Sequence, residues 1–237
     1  MKDHLTTREV DFVSINVVEN TEALDDLRDL GVMALPVVAR GDNYAIGLDM
    51  EQVFNLVGLN EVPPKPLSAR ELVDRIDQTV ISAVRFTSQL PTDQYEQTIP
   101  GRDRTYLGLA NHIINHVEIF MSLAGGSPFT LEDVDEEVLR GLEKQIDSPA
   151  VLGSRGQAAT TELRDWLAAL NEAELGRIVP TFFGDQTLHS LLATCAYSVT
   201  QHTRQLMTVL EMLDIAPDHP LTEADYTGLQ MPTGVWE

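Results

Sequence analysis

Three prolines within four positions, Pro63, Pro64 and Pro66, constrain this chain more than any other feature. Proline has a fixed φ and no amide hydrogen. The run 61–67 (Glu-Val-Pro-Pro-Lys-Pro-Leu) can therefore neither continue a helix nor sit inside a sheet, and it reads as a stiff connector. Residues 1–60 before it show short, mixed elements, and residues 68–237 after it show apolar residues at helical spacing. A chain of 237 residues has room for two such units. The expected class is α+β and multidomain, with a small α/β unit over 1–60, a linker over 61–67 and an all-α unit over 68–237.

Charge removes two classes of partner. With 37 Asp and Glu against 16 Lys and Arg, the formal net charge is −21. A nucleic-acid phosphate or an anionic membrane surface would be repelled, so neither is expected. No apolar run reaches the roughly 20 residues needed to span a bilayer. The amino terminus lacks the apolar core of a signal peptide. Cys195 is the single cysteine, so no internal disulfide can form. These features predict a cytoplasmic protein.

In the first unit, residues 1–8 can form a short helix. The β-branched stretch 10–18 (VDFVSINVV) predicts a strand. Asn20 or Thr21 can cap a helix from Glu22 to Leu30, which Gly31 can end. Strands are expected over Leu35–Arg40 and Tyr44–Gly47, with Gly41-Asp42-Asn43 turning between them. Asp49, with Gln52 three residues on, has the spacing that starts a helix through about Val57.

The α-β-α-β-β-α order, and the segment SINVVENTEALDDLRDLGVMALPVVARGDNYAIGLDMEQVFNLVGL, resemble a glutaredoxin or thioredoxin-like domain without its first strand and Cys-x-x-Cys pair. The resemblance implies a cis-proline segment at Leu35 and Pro36. It also implies a site for a low-molecular-weight thiol built from Leu35, Pro36, Gly47 and Asp49. Backbone N–H groups at a helix start suit the carboxylate of a glutathione-like peptide. The competing reading makes Pro36 structural and Asp49 only a cap. The absent strand leads to the expectation that the gene product begins upstream of Met1.

The second unit opens with a capping box, Ser68 to Glu71, and a helix to about Leu90. Further long helices are expected over about Asp103–Leu123, Gln157–Leu170 and Thr187–Leu213, with one or two short helices within 130–146. Helix two carries His112 and His116 one turn apart on one face. Helix four carries His202 on or beside its inward stripe, with Cys195 one heptad earlier. Imidazoles from two facing helices, aimed at one point, suit a divalent metal such as zinc, nickel or iron.

The segments LGLANHIINHVEIFMSLAGG and TLHSLLATCAYSVTQHTRQLMTVLEML, and the tail GLQMPTGVW, resemble the DinB-like four-helix bundles. That superfamily includes metal-dependent enzymes that use mycothiol, bacillithiol or related thiols. The resemblance places ligands at His112 and His202, and a middle ligand at residue 198, which here is a serine. A serine hydroxyl is a poor zinc ligand. His116 or a Cys195 thiolate could complete the set; neither replacement is usual for the family. The alternative is a metal-free bundle whose histidines are hydrogen-bonded core or surface groups. Cys195 itself reads as a small buried hydrophobe, and the Asp185, His189, Ser190 cluster as coincidence.

Taken together, these features predict a metal-dependent, low-molecular-weight-thiol transferase or redox protein in which a glutaredoxin-like module assists a DinB-like bundle. The implied partners are a small-molecule thiol or electrophile, and a homodimer is compatible with this class. The alternative is a non-catalytic binding or stress-response module whose metal and thiol sites are both eroded.

Overall fold

The computed structural model describes residues 2–15, 20–30, 32, 37–47, 49–63, 65–99, 104–130, 133, 138, 141, 146, 148–182 and 185–236. The protein is α+β, with two small antiparallel sheets and several packed helices.

The elements before the prolines are α1 (Lys2–Thr7), α2 (Thr21–Asp29), β1 (Val37–Arg40), β2 (Asn43–Ile46) and α3 (Met50–Val57). Asn20 caps α2 by accepting from the Ala23 amide. β1 and β2 form the expected hairpin, with Val37 opposite Ile46 and Arg40 opposite Asn43. Gly41 takes the turn at φ +60°. Leu5, Ala45, Met50, Val53 and Phe54 make a small core of their own, flanked by Val10, Phe12 and Val38.

One expectation fails here. Residues 10–15 form no strand, and Val13 is 85% exposed. A strand exists through its ladder, and among the described residues β1 pairs only with β2, so this β-prone segment joins no ladder there, and the Val10 amide donates back to the Leu5 carbonyl. The rest of that predicted strand, 16–18, lies outside the described residues, as do Leu35 and Pro36.

After the prolines, four long helices dominate the described residues: α4 (Ala69–Gln89), α5 (Tyr106–Ala124), α6 (Pro149–Ala169) and α7 (Leu188–Met212). α4 opens on the predicted capping box, in which Ser68 and Glu71 satisfy each other's amides. Thr105 caps α5, and Thr187 caps α7. Both α4 and α5 pack against α6 and α7, and α4 also touches α5. Their shared core holds Leu72, Ile76, Phe86, Leu109, Ile113, Phe120, Leu152, Leu163, Leu192, Val199 and Leu206. The short helices expected within 130–146 lie largely outside the described residues.

α6 begins eight residues before its predicted start at Gln157. Ser148 and Pro149 supply the entry, since proline at the first helical position gives up an amide that has no partner there anyway. Gly153 and Gly156 lie inside the helix because α4 comes close. A Cβ on Gly156 would stand 3.1 Å from Val84 Cγ2 and 3.2 Å from Val80 Cγ1. A two-residue hairpin, β3 (Ile178–Val179) with β4 (Gln186–Thr187), leads into α7 and has no counterpart in the sequence expectations.

The chain after α7 returns along the bundle. Gly228, at φ +91°, makes a turn in which any Cβ would meet Leu67 Cδ2 at 2.7 Å. The last described residues run beside α7, with Trp236 half-buried against the main core.

Candidate metal centre

Two helices supply the site, and each presents its histidines for a local reason. On α5 the inward residues Leu109, Ala110, Ile113, Ile114 and Val117 anchor the helix, and His112 and His116 flank that stripe one turn apart. Asn111, 2% exposed, accepts from Arg155 Nη1 of α6, and the same guanidinium donates to both Glu118 carboxylate oxygens through Nε and Nη2. This clamp sets the roll of α5. On α7 the buried run Cys195, Val199, Leu206 and Val209 turns the helix so that His202 faces α5.

The three rings meet. His112, His116 and His202 place one ligand nitrogen each within 4.8 Å of one another. The Nε2 atoms of His112 and His116 are 3.1 Å apart. The His202 ring lies 4.7 Å from that of His112, edge-on, and 5.4 Å from that of His116, stacked at 10°.

Protonation of this cluster is disfavoured. Burial pushes the His112 imidazole well below its ordinary value, and the neighbouring His116, His202 and Arg104 push in the same direction. Burial does the same to His116, reinforced by His202 and Arg104. In a neutral pair one Nε2–H donates to the other Nε2, so the 3.1 Å contact is a hydrogen bond with a single proton in it. If that proton moves to Nδ1 of its own ring, both imidazoles stay neutral and each presents an Nε2 lone pair.

Three converging imidazoles fit a divalent ion. Nitrogens bound at ordinary zinc distances in a tetrahedral shell stand about 3.3 Å apart, close to the separation seen for His112 and His116. Imidazole suits zinc, nickel and iron alike. Three protein ligands leave a fourth position for a substrate, the pattern of catalytic zinc sites.

Cys195 stands apart from this group. Its Sγ–H points to the His116 carbonyl at 3.5 Å, and burial alone drives the thiol far above its usual range. The thiolate considered from sequence as a replacement ligand is thus opposed by its surroundings, and the thiol behaves as a small core hydrophobe. Ser198 is half-buried on α7. His189 spends its Nε2 on the Leu67 carbonyl at 2.9 Å, and the Ser190 hydroxyl reaches Gln186 instead, so no triad forms.

Of the expected thiol-binding residues, Leu35 and Pro36 lie outside the described residues. Gly47 is buried beside β2. Asp49 caps α3, its carboxylate accepting from the Gln52 amide at 3.0 Å and from the Gln52 side chain at 2.8 Å. It occupies the donors at that helix start that an incoming carboxylate would use.

The H-x-x-Q-L pattern from His202 to Leu206 is part of the DinB-like resemblance, but the role of Gln205 in it, and the influence of Arg104 on the site, escaped the sequence. Gln205 contacts His202 Nδ1 through Oε1 at 2.9 Å, and it follows that histidine by three residues on the same helix face. That spacing is visible in the sequence, but its role depends on the returning tail. Arg104, just before the α5 cap, acts on both α5 histidines through its charge, and Thr98 bridges to Thr105 beside it.

Compared with known protein families, with characterised proteins and with solved structures, the chain gives no significant match. No described helix is long and apolar enough to cross a membrane.

Proposed function

We propose that this protein is a DinB-like, metal-dependent transferase or redox protein acting on a low-molecular-weight thiol, with a glutaredoxin-like module before its bundle. The observation that carries the reading is the convergence of His112, His116 and His202 from two helices onto one point. A divalent ion there supplies a lowered thiol pKa and holds the thiolate for attack on an electrophile. The chain's own contribution is a half-buried set of three imidazoles. Burial disfavours a second proton on His112 and His116, and the nearby Arg104 charge favours an anionic substrate over a cationic one.

The test begins with metal content. Protein purified without chelators should carry zinc, nickel or iron near one per chain, and His202→Gln should lose it. A low-molecular-weight thiol and a chromogenic electrophile should then react faster with loaded wild type than with that variant. Sub-stoichiometric binding of all three metals would end the proposal.

A second reading, a non-catalytic binding or stress-response module, rests on Asp49. Its carboxylate already caps α3, which argues against a peptide carboxylate at that helix start. Metal binding without thiol transfer would favour this reading.

A further inference from the structure

The carbonyl of Val235, two residues from the end of the chain, accepts from two glutamine side chains of α7. Gln201 Nε2 donates at 2.6 Å and Gln205 Nε2 at 3.1 Å. The tail is held nearby by Arg204, whose guanidinium donates to the Pro232 carbonyl at 3.0 Å and to Gln201 Oε1 at 2.8 Å. Arg204 is 8% exposed and Gln205 3%, so these contacts are made out of solvent.

The chemistry of these groups allows one orientation. A backbone carbonyl can only accept, so the Gln205 face toward Val235 must be its NH2 group. Its Oε1 therefore faces His202 Nδ1, and a carboxamide oxygen can only accept. The proton of the neutral His202 ring accordingly sits on Nδ1, and Nε2 is the nitrogen suited to a metal.

We infer that Gln205, locked by the Val235 carbonyl of the carboxy-terminal strap, is a positioning residue that selects the metal-competent tautomer and ring orientation of His202. The inference rests on the metal-site reading for its purpose, but the orientation itself is a property of the metal-free chain. Histidine ligands usually need such an outer partner on their second nitrogen, and losing it typically weakens metal binding about 10- to 100-fold. Here the partner is itself set by the last turn of backbone, so the strap and the site form one unit.

Two readouts on the full-length protein test this. Long-range proton–nitrogen NMR of the zinc-free wild type should show His202 protonated at Nδ1, and Gln205→Leu should shift that ring toward the Nε2–H form. Competition with a chromophoric chelator should show zinc affinity about 10- to 100-fold weaker in Gln205→Leu. Gln205→Glu keeps an acceptor for Nδ1–H but loses the donor to the Val235 carbonyl, so it should retain the tautomer while its zinc affinity falls between those of wild type and Gln205→Leu. If Gln205→Leu folds poorly, the wild-type tautomer and Gln205→Glu still decide the matter. A wild-type His202 ring protonated at Nε2, or unchanged zinc affinity in a folded Gln205→Leu, overturns the inference. If wild type binds no zinc yet shows the Gln205-dependent Nδ1–H tautomer, the metal reading falls and the positioning role stands.

Discussion

His112 and His116 share one hydrogen bond between their Nε2 atoms at 3.1 Å, although each ring lies beside a third imidazole and an arginine charge. Three such rings would repel one another if protonated, and burial adds to that penalty. The bundle therefore disfavours charge on His112 and His116.

That arrangement has a pH signature. At pH 7.5 these rings are neutral in both folded and unfolded chains. Below the ordinary imidazole value of about 6.5, the unfolded rings take up protons that the folded His112 and His116 refuse. The unfolded state then binds more protons, so stability falls as pH falls. Each ring contributes up to about 1.4 kcal/mol per pH unit in that window. Urea titrations of chelator-treated protein between pH 7.5 and 5.5 should show the slope, and a His112→Gln, His116→Gln double variant should flatten it.

Metal binding should appear as stability. Free zinc at 100 times its dissociation constant should stabilise the fold by about 2.7 kcal/mol, since an unfolded chain cannot bring the three rings together. Thermal melts with and without zinc would measure it. Replacing any one of the three histidines by glutamine should remove most of the shift, whereas Cys195→Ala should leave it in place.

Gly156 is needed for the approach of α6 to α4. Its missing Cβ would lie 3.1 Å from Val84, 3.2 Å from Val80 and 3.6 Å from Ile114 of α5, midway between the two α5 histidines. Gly156→Val should cost about 1–3 kcal/mol through overpacking. Urea unfolding reads the cost, and the zinc-induced shift should shrink in the same variant.

Arg155 ties α6 to α5 beside the site. Arg155→Leu would leave the Asn111 side-chain oxygen buried without its donor and strip Glu118 of its partner. The expected loss is about 1–3 kcal/mol, mostly the cost of the orphaned amide oxygen. Asn111→Leu in the same background should recover part of it, because two apolar groups leave nothing unpaired.

The carboxy-terminal turn can be tested at Gly228. Its φ of +91° and its 2.7 Å limit against Leu67 exclude a relaxed side chain there. Gly228→Val should destabilise by about 1–3 kcal/mol through backbone strain. Increased amide exchange at residues 229–236 would show that the strap had loosened.

Local signals were legible in the sequence wherever the physics is local. The Ser68–Glu71 box, the Gly41 turn, the Asp49 cap and the proline break each depend on residues within a few positions of one another. The same holds for the helical spacing that puts His112 and His116 on one face. Interactions between distant segments were less legible. The stretch 10–15 has strand composition but no ladder partner among the described residues, and composition cannot supply one. The start of α6 was placed eight residues late because Gly153 and Gly156 weaken a helical pattern, while their reason for being glycine lies on α4. Cys195 was weighed as a ligand from its heptad position, and burial against the His116 carbonyl decides against it.

By itself, then, the sequence determined a helical second unit with histidines on two helices, because periodicity and capping follow from backbone geometry alone. Tertiary packing decided that those histidines meet, that they stay neutral, and that Gln205 aims one of them. Each of these depends on which surfaces lose their water together. The Val235 carbonyl accepts from Gln205 across 30 residues of chain, and only the folded bundle brings that carbonyl to the glutamine that faces His202 Nδ1.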